Sequence, residues 1–502
     1  MRMRSRSFEA RSDFLSWPRI LVVLFILSVL SVASRAAAEA PDLTQRVARI
    51  ENGLLPAVLV KGEPDVAAKI EARMAHHKVA GLAVAVINNF KIEWAKGYGV
   101  IEAGKPEPVD EQTLFQAGSI SKPVAAMGAL KLVERGLLSL DTPVNDTLKS
   151  WQLGENDFTT RQPVTLRLLL MHTAGTTVHG FPGYNRSLPL PATVQVLSGE
   201  PPVNTPKVAV NILPGSKWRY SGGGITVAQL MVMDVTGKPF AEFMRETVLD
   251  PIGMTRSTYE QPLPESLHAN AARGHNSQGK LIDGGWNNYP ELAAAGLWTT
   301  PVDLAKFAIE LMLERKGESQ KVLSRESAVL MTTGNKDHWG IGIVATGEGE
   351  AFRIAHGGSN AGFKCDLVAY PETGKGVAIM TNGDAGPRVA ADLTRAVARE
   401  DGWADRLPIE LDPLELDEKI LTGYLGRYRM DSDTLVYTVS LDGGKLWIKV
   451  PAQPRTELLP KSATEFLVRD SATLVRFVEG EDGAVAGIRF GDEADQPLAK
   501  KF

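Results

Sequence analysis

The chain alternates between continuous apolar runs and helical patterns, and their order sets the architecture. Val66, Ile70 and Met74 fall at helical spacing, which predicts a helix over Asp65–His76 with Asp65, just after Pro64, as its N-cap. Two strand-like runs follow, Gly81–Ile87 and Ile92–Tyr98, and Asn88, Asn89 and Phe90 between them predict a hairpin turn. From Ile120 to Glu134 the pattern is helical, through Val124, Met127, Leu130 and Val133, and Gly136 ends it. Pro123 is tolerated only in a first turn, so this helix begins near Ser119, where free N–H groups favour negative charge.

The middle of the chain, Val164 to about Pro290, reads as helices separated by turns: Val164–His172, Ile225–Val235, and Phe240–Leu249 before Pro251. Another helix spans Pro301–Arg315, and strands are predicted at Trp339–Ala345, Arg353–His356, Cys365–Tyr370 and Gly376–Thr381. Strands at both ends around a helical insert imply an α+β fold, a sheet layered with helices plus a helical lobe. The stretch Glu400–Asp417, rich in Pro, Asp, Glu and Leu, reads as a linker. Beyond it, short runs at Gly423–Tyr428, Leu435–Leu441, Lys445–Val450, Glu465–Val468, Leu474–Val478 and Val485–Phe490 predict a small all-β barrel or sandwich. Turns such as Asp442-Gly443-Gly444 and Glu481-Asp482-Gly483 separate them. The expected division is 1–38 leader, 39–400 main domain, 401–417 linker and 418–502 barrel.

The leader changes the compartment. Arg2, Arg4, Arg6, Arg11 and Arg19 precede an apolar run from Ile20 to Ala33, then Ser34-Arg35-Ala36-Ala37-Ala38. This pattern fits a signal peptide cut near Ala38 and a periplasmic or secreted protein. The run is shorter than the roughly 20 residues a spanning helix needs, so no stable membrane span is expected after cleavage. The single cysteine, Cys365, cannot form an internal disulfide and reads as a small apolar residue. A net charge of −4, with no basic stripe, gives no footprint for nucleic acid.

Three short pieces carry chemistry: Ser119-Ile120-Ser121-Lys122, Tyr220-Ser221-Gly222 and His356-Gly357-Gly358. Ser119 and Lys122 stand one helical turn apart, so a hydroxyl and an amine share a face. A serine is a poor nucleophile until a base takes its proton, and burial lowers the pKa of a lysine toward that task. The same spacing also fits an N-cap serine beside a surface lysine. The Tyr220 phenol acts as a base only where nearby cations stabilise its anion, which Lys122 could do. Gly357 and Gly358 after His356 allow a backbone N–H to meet a substrate carbonyl, an oxyanion hole shared with the N–H of Ser119. His172 and His179 have no carboxylate or thiol cluster at ligand spacing, so no metal or other cofactor is expected.

In these pieces the chain resembles the serine β-lactamase and penicillin-recognising enzyme superfamily, most closely its class C-like branch of β-lactamases, D-amino-acid peptidases and small esterases. The resemblance runs from about Asp65 to Asn382 and includes Leu168–Gly175 and Ala295–Thr300. It implies that Ser119 is acylated, that Lys122 assists proton transfer, that Tyr220 is the general base, and that Ser359 gives the second oxyanion N–H. It implies a small-molecule ester, amide or peptidoglycan-like substrate. Two departures bear on that substrate. Gly222 stands where relatives carry an Asn that holds the substrate's acyl amide, and His356 stands where a charged Lys is usual. Both favour simple esters over lactams and peptides. A D-amino-acid peptidase or weak β-lactamase is the runner-up, and a penicillin-binding sensor or interaction protein without turnover is a further reading, against which Ser119, Lys122 and Tyr220 are all present.

Overall fold

The computed structural model describes residues 43–64, 67–335, 337–430, 435–451, 453–481, 483–491 and 497–502. Residues 1–38, where a signal peptide is expected, and Asp65, Val66 and Asp482 lie outside them. Residues 50–502 form one compact unit. Its strands and site-bearing helices, in chain order, are β1 (Val58–Val60), α1 (Ile70–His77), β2 (Gly81–Asn88), β3 (Lys91–Gly99), α2 (Ser121–Glu134), α3 (Gly222–Thr236), α4 (Leu292–Ala295), α5 (Pro301–Lys316), β4 (Val344–Thr346), β5 (Arg353–Asn360), β6 (Phe363–Tyr370), β7 (Lys375–Thr381), α6 (Gly386–Asp401) and β8 (Ile409–Leu411).

A six-stranded sheet in the order β3-β2-β7-β6-β5-β4 is antiparallel throughout. Strand β2 is apolar on both faces because both are covered. Leu82, Val84 and Val86 pack with Val377, Ile379, Val389 and Leu393 under α1 and α6. Ala83, Ala85 and Ile87 face the larger core of α2, α3 and α5. The β2–β3 hairpin turns on Asn89 and Phe90, both at positive φ, as a two-residue turn matched to strand twist requires. Helix α2 is buried from Ser121 to Leu130, which is why its sequence is apolar on every face.

Several boundaries differ from the sequence expectation. The first predicted helix starts at Ile70, because Ala68 is held in a bridge to Leu54. The predicted 164–172 helix is only Leu166–Leu170, since Thr165 caps it and Met171 ends it. The segment from Phe240 does not stop before Pro251: a π-turn over Arg245–Leu249 carries it to Ile252, and Gly253 in the left-handed region ends it. Of the predicted 339–345 strand only Val344 and Ala345 join the sheet, in a strand that runs on to Thr346. Within 400–417, α6 runs to Asp401 and β8 pairs in parallel with β1.

The C-terminal part is a closed eight-stranded barrel of β9 (Gly426–Arg429), β10 (Val436–Asp442), β11 (Lys445–Lys449), β12 (Thr456–Pro460), β13 (Glu465–Val468), β14 (Leu474–Glu479), β15 (Val485–Phe490) and β16 (Ala499–Lys501). Strands β12 and β16 escape the sequence reading, being short and flanked by prolines and charges. Gly423 ends a short helix rather than opening a strand. Inward Tyr428, Leu446, Leu458, Phe466, Phe477 and Ile488 fill the barrel. On the outside, Leu459, Leu467 and Leu474 pack on Ala57 and Val58, and Arg469 pairs with Glu63 at 2.8 Å, so the barrel is fixed to the main domain.

Candidate active site

Ser119 sits in a tight turn, Gly118–Ile120, that runs directly into α2. One helical turn on, Lys122 Nζ lies 2.9 Å from Ser119 Oγ and 2.8 Å from the carbonyl of Ala294, the third residue of α4. The amine is only 3 % exposed and has no carboxylate beside it, and burial pushes its pKa down to about 7. Tyr220 arrives from the segment before α3 and lies with its ring centroid 4.9 Å from Lys122 Nζ. Burial pushes this phenol up to about 12, and the nearby Ser119 hydroxyl only partly offsets it. The two candidate bases are thus split by the same cause acting on opposite charges.

The third piece lies on β5, alongside the nucleophile turn. A Cβ at Gly358 would stand 2.0 Å from the Ala117 carbonyl, and one at Gly118, where φ is +51°, would stand 2.5 Å from the nitrogen of Ser359. Only glycine at both positions lets the two backbones approach this closely. The cleft that results, of about 750 Å³, is lined by Ser119, Tyr220, His356, Gly358 and Ser359 together with Trp218 and Trp339. Trp298 and Tyr184 are core residues. Gly222 opens α3; its N–H donates to the His179 carbonyl, and a Cβ there would lie 2.7 Å from the Phe181 ring. No side-chain amide could occupy that corner without displacing Phe181. Cys365 lines the cleft but its thiol donates to the Gln116 carbonyl at 3.2 Å, and burial pushes it up to about 12, which leaves it unreactive.

Sequence reasoning missed the supports of Tyr220. His172, at φ +56°, accepts a hydrogen bond on Nδ1 from the Ser221 N–H at 3.1 Å, and its ring packs 4.3 Å from that of Tyr220. Trp339 closes on both His172 and His356, with centroids 4.9 and 5.5 Å away. His179 packs on Tyr220 as well, at 5.0 Å. Burial, then Lys122, holds His172 well below its usual pKa, so it is a neutral wedge. His172→Phe is expected to leave the buried Ser221 N–H unpaired, costing about 2 kcal/mol of stability, and to lower kcat roughly tenfold as Tyr220 loosens. A thermal melt and steady-state rates on one preparation check both effects.

Comparison with known proteins places the chain in a family. A model of the Beta-lactamase family matches residues 66–401, and one of a domain of unknown function, DUF3471, matches 412–500. The chain is 23 % identical to penicillin-binding protein 4* of Bacillus subtilis over 433 residues, which cover 80 % of this chain and 91 % of that protein. It is 27 % identical to esterase EstB of Burkholderia gladioli over 231 residues, covering 44 % of this chain and 58 % of the esterase. Among solved structures, the octameric penicillin-binding protein homologue from Pyrococcus abyssi has the same fold, with a TM-score of 0.59 at 23 % identity over 86 % of this chain and 98 % of that one. With a family match over well more than half its length, the chain belongs to the Beta-lactamase family.

Proposed function

We propose that the protein is an exported serine hydrolase that forms an acyl-enzyme on Ser119 and acts on carboxylic esters. The observation that carries this reading is the buried Lys122 amine 2.9 Å from the Ser119 hydroxyl. A carbonyl oxygen only accepts, so Ala294 takes one Lys122 N–H and holds the amine against Ser119, and once the amine is neutral its lone pair can accept the Ser119 proton. With the phenol at about 12 and the amine at about 7, Lys122 is the base at neutral pH and Tyr220 is a proton donor in reach of the leaving group. Ser119 Oγ attacks the carbonyl carbon as its proton passes to Lys122. The backbone N–H groups of Ser119 and Ser359 hold the oxyanion, the alcohol leaves with a proton through Tyr220, and water then releases the acid. Esters are favoured because Phe181 fills the corner beside Gly222 where an amide-binding side chain would stand. Export rests on the sequence of residues 1–38; among the described residues no helix is long and apolar enough to cross a membrane.

A short-chain 4-nitrophenyl ester tests the reading. Acid-quenched enzyme is expected to carry one acyl group on the peptide containing Ser119, located by mass spectrometry. Its kcat/KM is expected to exceed that for a cephalosporin or a D-Ala-D-Ala peptide by about 100-fold. An adduct elsewhere, or faster turnover of the lactam or peptide, overturns it.

A further inference from the structure

One buried polar atom in the cleft is left unused by the acyl-transfer chemistry. His356 is 5 % exposed and lines the cleft, and its Nδ1 lies 2.6 Å from the Gly357 carbonyl. Because that oxygen can only accept, Nδ1 carries the ring proton and Nε2 keeps a lone pair. Nε2 is buried and has no hydrogen-bond partner. A bare acceptor in such a place is unfavourable until a donor arrives. Burial, then the Lys122 amine, pushes the ring down to about 3, so it remains an acceptor at any ordinary pH.

The surroundings define what can bring that donor. Among the described residues lining the cleft, Lys364 is the only lysine or arginine, and it is held by Asp384 at 2.5 Å and the Asn360 carbonyl at 2.9 Å. Lys122 is committed to Ser119 and Ala294. A carboxylate entering here loses water, meets no free cation, and faces a lone pair. A neutral N–H or O–H group satisfies Nε2 without bringing charge.

We propose that Nε2 of His356 is a specificity-determining acceptor for a neutral N–H or O–H donor of the substrate, so that the enzyme selects uncharged, donor-bearing esters over their carboxylate counterparts. This rests on the acyl-enzyme reading above. The test uses the full chain and an isosteric pair, 4-carbamoylphenyl and 4-carboxyphenyl butyrate, with the same pair of groups placed on the acyl side as 4-nitrophenyl esters of terephthalamic and terephthalic acid. In at least one placement the amide-bearing ester is expected to be preferred by roughly 30-fold or more in kcat/KM. His356→Leu is expected to reduce that ratio to a few-fold by slowing the amide ester. His356→Gln, which offers an oxygen acceptor, is expected to retain most of it, and His356→Lys to invert it. Labelling of Ser119 by a fluorophosphonate counts folded sites in each variant, and if His356→Leu does not fold, the contrast between Gln and Lys decides. A ratio near one in both placements, or one that survives His356→Leu, overturns the assignment while leaving the hydrolase intact. Failure of every ester to acylate folded enzyme overturns the hydrolase reading, and this assignment with it.

Discussion

Ser119→Ala and Lys122→Met are each expected to lower kcat by about 10⁴, and the double variant no further, because a nucleophile and its base act as one unit. The geometry makes the two inseparable: Nζ stands 2.9 Å from Oγ, and no second amine reaches that hydroxyl among the described contacts. Without Lys122 the serine keeps its proton, since Tyr220 stays protonated until about pH 12. Rates for the two single variants and the double variant on one ester check this. Losses that multiply in the double variant would mean two independent roles.

Lys122 also has a pH signature. Its amine must be neutral to accept the serine proton, so wild-type kcat/KM is expected to fall as pH drops through about 7. In stability the sign is opposite to that of a lysine with a partner. The folded-state pKa is depressed from 10.5 to about 7, so between these values the unfolded chain binds a proton that the folded chain does not. Stability therefore rises with pH across that window, and below pH 7 the full cost of burying the amine is present. Lys122→Met removes the cost. Below pH 7 the variant is expected to be more stable than wild type by on the order of a few kcal/mol, a gap that closes toward pH 10.5. Chemical denaturation of both proteins at pH 6.5 and pH 10 measures it. An inactive but stabilised variant separates catalytic loss from misfolding.

How far the sequence carried the structure depended on how local each signal is. The β2–β3 hairpin, α2 and the strands around His356 were legible because apolar runs and their punctuating turn residues lie next to one another in the chain. The π-turn after Met244 was not, because nothing in Arg245–Leu249 distinguishes an i→i+5 turn from an ordinary one. Strands of three to five residues such as β12 and β16 carry too little pattern to stand out, and they owe their shape to closure of the barrel. At the site, Ser119, Lys122, Tyr220 and His356 were legible from spacing and residue type. The supports of Tyr220 were not: His172 and Trp339 reach it from 48 and 119 residues away in sequence, and only the fold brings them together. The split between the Lys122 amine and the Tyr220 phenol was also hidden, because the size of a pKa shift depends on burial, which a sequence shows only indirectly.

Gly358→Ala is expected to lower kcat about 10³-fold with little change in KM, although it adds one methyl group to a residue that does no chemistry. That methyl would stand 2.0 Å from the Ala117 carbonyl and 3.2 Å from Cβ of Cys365, so β5 and the nucleophile turn must part by more than 1 Å, roughly, to reach ordinary contact. The oxyanion site proposed between the N–H groups of Ser119 and Ser359 would open by the same amount. One lost donor costs about 10²–10³ in kcat, and a displacement of 1 Å costs about 10² on its own account. Overpacking is expected to lower stability by about 1–3 kcal/mol as well. Gly357→Ala is the internal contrast, since a Cβ there meets nothing nearer than the Cys365 carbonyl at 3.9 Å, and its melting temperature is expected to stay within about 1 °C of wild type. Gly118→Ala adds a second cost, because φ is +51° there, and is expected to be at least as damaging as Gly358→Ala. If Gly358→Ala keeps wild-type kcat, the two backbones do not form the oxyanion site, and catalysis must draw its donors from elsewhere in the cleft.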